Sequence, residues 1–231
     1  VRYWLVMPAA GAGRRFGESV PKQYAPLSGR TVIEWALAPF VADSRCAAVA
    51  IAVAEGDPHW ADVSKRLGAT IRVARGGQQR SESVRSALAA LADVAAADDW
   101  VLVHDAARPC VSREEIDRLI SRLEAHPLGG LLALPAADTL KRARSDRAVE
   151  VTVDRSNLWR ALTPQMFRYA RLCEALDAAH RSGRYPTDEA QALEWCGEAP
   201  LLVEGSSANI KITTAQDLTL AEALLRARSV E

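Results

Sequence analysis

The sequence predicts a single-domain, Rossmann-like α/β fold, built as a doubly wound and mostly parallel sheet with a protruding β-arm. Three observations carry that expectation. Short, wholly apolar runs such as Tyr3–Pro8 and Ala47–Ala54 have the length and composition of strands covered on both faces. Between such runs stand segments whose apolar residues recur at helical spacing, and strand-helix alternation implies right-handed crossovers within one sheet. The stretch from 138 to 155 breaks the alternation, placing Lys141, Arg142, Arg144, Asp146 and Arg147 between two β-prone pieces.

In chain order, Tyr3–Pro8 is the first strand, and after a loop the apolar positions Val32, Ile33, Leu37 and Phe40 mark a helix with Thr31 as its cap. Ala47–Ala54 is the second strand, Trp60–Leu67 a short helix and Thr70–Ala74 the third strand. Gly76 and Gly77 break the chain before a helix expected over Ser83–Ala95, with Val84, Leu88, Leu91 and Val94 on one face. The fourth strand is Trp100–His104. Ser112 and Glu115 form a capping box for a helix reaching about Glu124, and Gly130–Pro135 is the fifth strand. The arm pairs Asp138–Lys141 with Val149–Val153, and an isolated hairpin is marginal in water, so it is expected to pack on a second copy of the chain. Helices over Phe167–Ser182 and Asp188–Trp195, strands over Pro200–Glu204 and Asn209–Thr213, and a helix from Ala215 with Thr214 near its cap complete one domain spanning 1–231.

Composition narrows the function. In 231 residues that are 49% hydrophobic, Lys plus Arg and Asp plus Glu number 29 each, so no global field draws nucleic acid or an anionic membrane. Any anion site is local. The four cysteines show no metal-ligand spacing and suit a reducing cytoplasm, and no apolar run reaches the roughly 18 residues that span a bilayer. The four histidines share no spacing, so neither a metal site nor a proton relay is expected of them.

The chemistry is concentrated at the first strand's end. Pro8-Ala9-Ala10-Gly11-Ala12-Gly13-Arg14-Arg15 runs into Phe16-Gly17, and Pro21-Lys22-Gln23 follows. Residues without bulk let a phosphate approach backbone N–H groups closely, and Arg14, Arg15 and Lys22 add full charges. A dinucleotide turn fits poorly, because glycines 11, 13 and 17 are spaced one residue too widely and Glu34 falls within a helical pattern. A P-loop would need Lys-Ser or Lys-Thr after a glycine. A plain surface turn with solvated arginines is the bland alternative.

The strand, the A-A-G-x-G-x-R loop and the Pro21-Lys22 that follows resemble the nucleotidyltransferase signature of sugar-nucleotide pyrophosphorylases, and more narrowly the 2-C-methyl-D-erythritol 4-phosphate cytidylyltransferases. His104-Asp105-Ala106-Ala107-Arg108-Pro109 matches that family throughout, where the bland reading is an Asp capping a turn beside a solvated Arg. Gly76-Gly77-Gln78-Gln79-Arg80-Ser81-Glu82-Ser83-Val84 resembles its cytosine-reading segment, with Gln78 where some relatives carry an acid. Asp138-Thr139 and Thr152-Val153-Asp154-Arg155 are similar to its dimer arm, Leu162-Thr163-Pro164-Gln165 to its L-T-P-Q, and Asn209-Ile210-Lys211-Ile212-Thr213 to its N-I-K-[VI]-T. Ala208 and Ala215-Gln216 depart from the usual acidic residues near the last motif.

The resemblance implies transfer of CMP from CTP to 2-C-methyl-D-erythritol 4-phosphate in the non-mevalonate isoprenoid pathway, by a cytoplasmic homodimer using Mg2+ or another divalent cation. It implies that Pro8, Ala9, Ala10, Gly11, Gly13, Gly77, Ser83 and Ala106 bind the nucleotide. Arg15, Lys22, Arg155 and Lys211 become the catalytic cations. Asp105, Arg108, Thr139, Arg155, Thr163 and Lys211 meet the second substrate, Thr139 and Arg155 from the neighbouring subunit. The metal is carried mainly by the CTP phosphates, near Asp105, without a protein cage. The rivals are a ribitol 5-phosphate cytidylyltransferase and a non-catalytic nucleotide-binding subunit.

Overall fold

The computed structural model describes residues 1–11, 20–67 and 71–228. Gly13, Arg14 and Arg15 of the expected phosphate loop, and Thr70 of the expected third strand, lie outside the described residues. Strands β1 (Tyr3–Pro8), β2 (Pro26–Leu27), β3 (Arg30–Thr31), β4 (Cys46–Val53), β5 (Ile71–Arg75), β6 (Trp100–Val103), β7 (Gly129–Pro135), β8 (Leu140–Ala143), β9 (Val149–Val153), β10 (Trp159–Arg168) and β11 (Leu201–Glu204) alternate with helices. The helices are α1 (Val32–Val41), α2 (Trp60–Leu67), α3 (Arg80–Ala89), α4 (Arg113–Leu123), α5 (Tyr169–Arg181), α6 (Glu189–Glu194) and α7 (Ala215–Arg228).

The central sheet has the order β11-β7-β10-β6-β1-β4-β5, with β10 antiparallel to both neighbours and the other pairs parallel. Period-2 alternation divides its side chains between two layers. Tyr3, Leu5, Met7, Ile51 and Leu102 pack with α1 and α4 on one face; Trp4, Val6, Ala52, Val101 and Phe167 pack with α3 and α5 on the other. A smaller cluster of Leu27, Val32, Cys110, Ile212, Ala221 and Leu225 seats α7 against the β2–β3 hairpin.

Local chemistry explains most boundaries. Ser112 caps α4 as expected, accepting from the Glu115 N–H at 3.2 Å while the Glu115 carboxylate accepts from the Ser112 N–H at 3.2 Å. At α1 Thr31 is the cap residue as expected: its N–H donates to the Glu34 carboxylate at 2.8 Å, as Ser112 does to Glu115, and its hydroxyl donates to the same carboxylate at 2.6 Å. Glu34 is thus a buried helix-start acceptor, also bound by Arg66, and not a ribose ligand. Asp217 likewise accepts from the amides and hydroxyls of Thr213 and Thr214, so Thr214 is a donor at the α7 start.

Four expectations need correction. β10 departs from the expected pattern, in which Pro164 argues against a central strand and Phe167 opens the following helix. The strand is possible because Pro164 falls inside the break in pairing with β7 between Ala161 and Gln165, where no ladder N–H is required. α3 starts three residues earlier than expected, after Gln79, whose N–H donates to Glu82, and stops at Ala89, leaving Val94 41% exposed and off the helical face. Asn209–Thr213 is not a strand; the Ile212 N–H ties it to the Ala107 carbonyl, the Asn209 and Ile210 N–H groups bond locally to Ser206 and Ala208, and the buried Asn209 side chain anchors it. The arm is a separate two-stranded sheet whose first strand begins at Leu140, two residues later than expected.

Two adjacent glycines let the edge of the sheet close. A Cβ on Gly130 would lie 2.0 Å from the carbonyl oxygen of Leu201 on β11, and one on Gly129 2.1 Å from that of Met166 on β10. Backbone cannot yield as a side-chain tip can. Gly130→Ala is therefore expected to cost about 3 kcal/mol in urea unfolding; a loss within experimental scatter would show that the β7–β11 pairing adapts.

Candidate active site

The carboxyl ends of β1, β5 and β6 surround a cavity of about 890 Å3, where ligands collect in doubly wound sheets. Its first wall is Pro8-Ala9-Ala10-Gly11, which leaves β1 and is pinned at both ends. The Ala9 N–H donates to Ala52 at 2.7 Å, while the side-chain amide of Gln23 donates to the carbonyls of Ala9 at 2.7 Å and Gly11 at 3.1 Å. Those bonds explain why Gln follows Lys in Pro21-Lys22-Gln23. A tight 3-10 turn over Lys22–Tyr24 sets Lys22 on the cavity surface.

The second wall is the Gly76–Ser83 segment. Gly76 packs so closely on the first loop that a Cβ would stand 2.2 Å from the Ala10 Cβ. Small residues on both loops are thus demanded by one contact. Gly77 donates its N–H to Ser83 Oγ at 3.1 Å, which fixes the hydroxyl at the start of α3, and Gln78, Gln79 and Arg80 complete this side.

The third wall is the turn after β6, where Asp105 sits 7% exposed among three cations. Arg80 Nε donates to its Oδ1 at 2.9 Å, Lys211 Nζ lies 2.8 Å from Oδ2, and Arg108 Nε is 3.6 Å from Oδ2. Burial alone would raise this carboxyl, but the charges of Arg80, Lys211 and Arg108 outweigh burial and hold it well below the ordinary carboxylate range. Lys211 reaches the site because Asn209 anchors its segment, donating to the Thr163 carbonyl at 2.9 Å and to Glu115 at 3.2 Å.

Beneath Asp105 runs a directed hydrogen-bond chain. The Asp105 N–H donates to Thr163 Oγ1 at 3.1 Å, Thr163 Oγ1 meets His104 Nδ1 at 2.9 Å, and His104 Nε2 meets the Arg108 carbonyl at 3.1 Å. A carbonyl can only accept, so Nε2 carries the proton, Nδ1 accepts, and the Thr163 hydroxyl points at His104. Burial pushes the imidazole down to about 4, which keeps it neutral in that tautomer.

The structure thus gathers Pro8, Ala9, Ala10, Gly11, Lys22, Gly77, Ser83, Asp105, Ala106 and Lys211 at one cavity, while Gly13 and Arg15 are outside the described residues. Arg108 and Thr163, also expected to meet the second substrate, adjoin Asp105 and do not line the cavity. Arg108 is 8% exposed and braces the site from below, donating to the Asn209 carbonyl at 2.8 Å. Thr163 is 4% exposed and spends its hydroxyl within the fold. Thr139 and Arg155 are exposed on the arm and do not line the cavity of their own chain. Sequence reasoning missed Arg80, His104, Asn209 and Glu189 as site-building residues. Arg80 and Asn209 stood inside recognised motifs, while Glu189 carried no signal.

Comparison with known proteins agrees with this geometry. The family model of 2-C-methyl-D-erythritol 4-phosphate cytidylyltransferase matches residues 3–227. The chain belongs to that family. It is therefore a cytidylyltransferase, an enzyme of the nucleotidyltransferase class. Among relatives bearing that name, the Pseudomonas putida protein is 49% identical over 94% of this chain and 92% of its own, and the Pseudomonas aeruginosa protein 50% over 94% and 93%. A crystal structure of 4-diphosphocytidyl-2C-methyl-D-erythritol synthase superposes with a TM-score of 0.85 at 38% identity, covering 97% of this chain and 98% of that one. The Francisella tularensis cytidylyltransferase gives 0.82 at 35% identity, covering 97% and 100%.

The buried imidazole has a measurable consequence for this enzyme. The folded state keeps His104 neutral down to about pH 4, whereas the unfolded chain takes up a proton near pH 6.5, so stability is complete above 6.5 and is lost as pH falls toward 4. The loss is on the order of 3 kcal/mol, and a His104→Asn variant is expected to lack that part of the slope in urea unfolding between pH 7 and 4. An unchanged slope would mean that the ring is charged in the fold.

Proposed function

We propose that this cytidylyltransferase moves CMP from CTP to 2-C-methyl-D-erythritol 4-phosphate, releasing pyrophosphate, and that it does so as a cytoplasmic homodimer with a divalent cation carried by the nucleotide. The observation that supports this best is the cavity itself: the Gly77–Ser83 segment and the Pro8–Gly11 loop line it together with Lys22, and Arg80 and Lys211 meet there on the single carboxylate of Asp105.

A phosphate monoester is already nucleophilic at neutral pH, so the reaction needs alignment and positive charge instead of a general base. An oxygen of the sugar-alcohol phosphate forms a bond to the α-phosphorus of CTP as the bond to the bridging oxygen breaks, and the electron pair leaves with pyrophosphate. Lys22, with Arg15 from the glycine-rich loop, stabilises the charge gathering on the α- and leaving phosphates. Lys211 draws the attacking phosphate toward Asp105, whose oxygens retain lone pairs for substrate hydroxyls. The Gly77 to Ser83 segment presents amides and a hydroxyl to the cytosine edge.

The donor set bears on the metal. Among the described residues no group of three or more His, Cys, Asp or Glu could hold one, and Asp105 is already engaged by Arg80 and Lys211. A hard cation such as Mg2+ favours phosphate oxygens, so it fits this site as a companion of the triphosphate, neutralising its charge when bound. The arm supports the dimer reading. Leu140, Val149 and Val151 are 37%, 58% and 43% exposed on a two-stranded sheet too small to be stable alone, and a second copy would cover them while delivering Thr139 and Arg155. Four free cysteines agree with a reducing compartment, and no described helix is long and apolar enough to cross a membrane.

Pyrophosphate release with CTP and Mg2+ is expected with methylerythritol phosphate and not with ribitol phosphate; the reverse would keep the chemistry and overturn the substrate, and silence with both would favour a binding subunit. Lys22→Ala is expected to lower kcat roughly 100-fold, as loss of a transition-state donor does. An intact kcat with a raised KM would remove Lys22 from the chemical step. Arg155→Ala and Lys22→Ala proteins, each inactive alone, should regain about a quarter of wild-type activity when mixed equally and allowed to exchange subunits, since one site of each hybrid dimer is whole. No recovery on proven exchange would confine Arg155 to its own subunit.

A further inference from the structure

Glu189 opens α6, is fully buried and does not line the cavity. Its carboxylate accepts Nη1 of Arg80 at 2.6 Å and Nη2 at 3.2 Å. The Nε–H of the same guanidinium goes to Asp105 Oδ1 at 2.9 Å, and Asp105 Oδ2 takes Lys211 at 2.8 Å. Four charges of alternating sign, Glu189, Arg80, Asp105 and Lys211, therefore run from the core to the cavity.

The far end of this row is fixed to the central sheet. Asp188 accepts from the Gln191 N–H at 2.9 Å and from the Gln165 side-chain amide at 3.1 Å, while Gln165 Oε1 accepts from the Ala190 N–H at 2.9 Å. Gln165 belongs to β10, so Glu189 hangs from a strand and not from a mobile loop.

Stability alone does not call for such a row, because buried charges can often be replaced by apolar residues without loss. Geometry gives it a purpose. An arginine beside a carboxylate favours a two-pronged pairing in which two of its N–H groups take both oxygens. Arg80, left to itself, would claim Oδ1 and Oδ2 of Asp105 and displace Lys211. Glu189 holds Nη1 and Nη2, which confines Arg80 to Oδ1.

We propose that Glu189 is a positioning residue for cytidylyl transfer: by restraining Arg80 it reserves one oxygen of Asp105 for Lys211 and so sets the lysine that receives the attacking phosphate. The proposal deepens the cytidylyltransferase reading and rests on it. Glu189 touches no cavity surface, so the effect passes through Arg80 and falls on turnover in place of nucleotide affinity.

The test uses Glu189→Gln, close in shape and uncharged, beside Arg80→Met and the double variant. Glu189→Gln should lower kcat about tenfold with the CTP KM within about twofold of wild type, as changes to groups that orient a reacting side chain do. The double variant should match Arg80→Met within about twofold, because Glu189 has nothing to restrain once Arg80 is gone. A crystal structure of Glu189→Gln should show Arg80 on both oxygens of Asp105 and Lys211 displaced, a readout that needs no turnover and so separates this proposal from the substrate assignment. The idea is overturned by an unchanged kcat, by losses that multiply in the double variant, or by a Lys211–Asp105 contact that stays in place.

Discussion

Asp105 stands at the end of β6 with a carboxylate almost cut off from water and cations on three sides. A buried charge of this kind is tolerable only when it is paired and hydrogen-bonded, and its partners come from widely separated parts of the chain: Arg80 at the start of α3, Arg108 from its own turn, and Lys211 from the segment before α7. The carboxylate thereby ties the Gly76–Ser83 wall, its own turn and the Lys211 segment into one electrostatic unit. Arg108 faces inward to the Asn209 carbonyl, Asn209 holds the Lys211 segment, and the His104–Thr163 chain fixes the Asp105 backbone from beneath. The cationic character of the cavity is thus built before any substrate arrives.

A second constraint is steric. The first loop and the Gly76 turn approach to where a Cβ on Gly76 would overlap Ala10, and Gly77 is similarly closed by Glu82. The small residues at both places serve a single close contact between loops that leave different strands. That contact brings both loops to the rim of one cavity, while bulk on either would hold them apart. Conformational freedom matters less here than the absence of a side chain, since neither Gly76 nor Gly77 has a positive φ.

Different kinds of information were readable in different degrees. The apolar strands β1, β4 and β6 and the capped helix α4 follow from patterns of a few adjacent residues, and they appear within a residue or two of where the pattern puts them. β10 was hidden because its middle carries Thr163, Pro164 and Gln165, polar or ladder-breaking residues in local terms. Each is explained by a partner distant in sequence: Thr163 by His104, Gln165 by Asp188 and Ala190, and Pro164 by the gap in pairing with β7. Asn209–Thr213 erred in the opposite direction, because a β-prone run was diverted to carry Lys211 into the cavity.

The sequence by itself determined the α/β class and the motifs that bring this chain into its family, because both reside in short-range periodicity or in strings of neighbouring residues. Only the tertiary structure decided that Arg108 and Thr163 face inward as braces, that His104 is a neutral, tautomer-fixed support, and that Glu189 belongs to the site at all. Those roles depend on burial and on hydrogen bonds across 46 to 109 residues of chain, as from Asn209 to Thr163 or from Arg80 to Glu189. The energetic meaning of a charged side chain is set by what surrounds it, and that is fixed only when the strands have taken their places in the sheet.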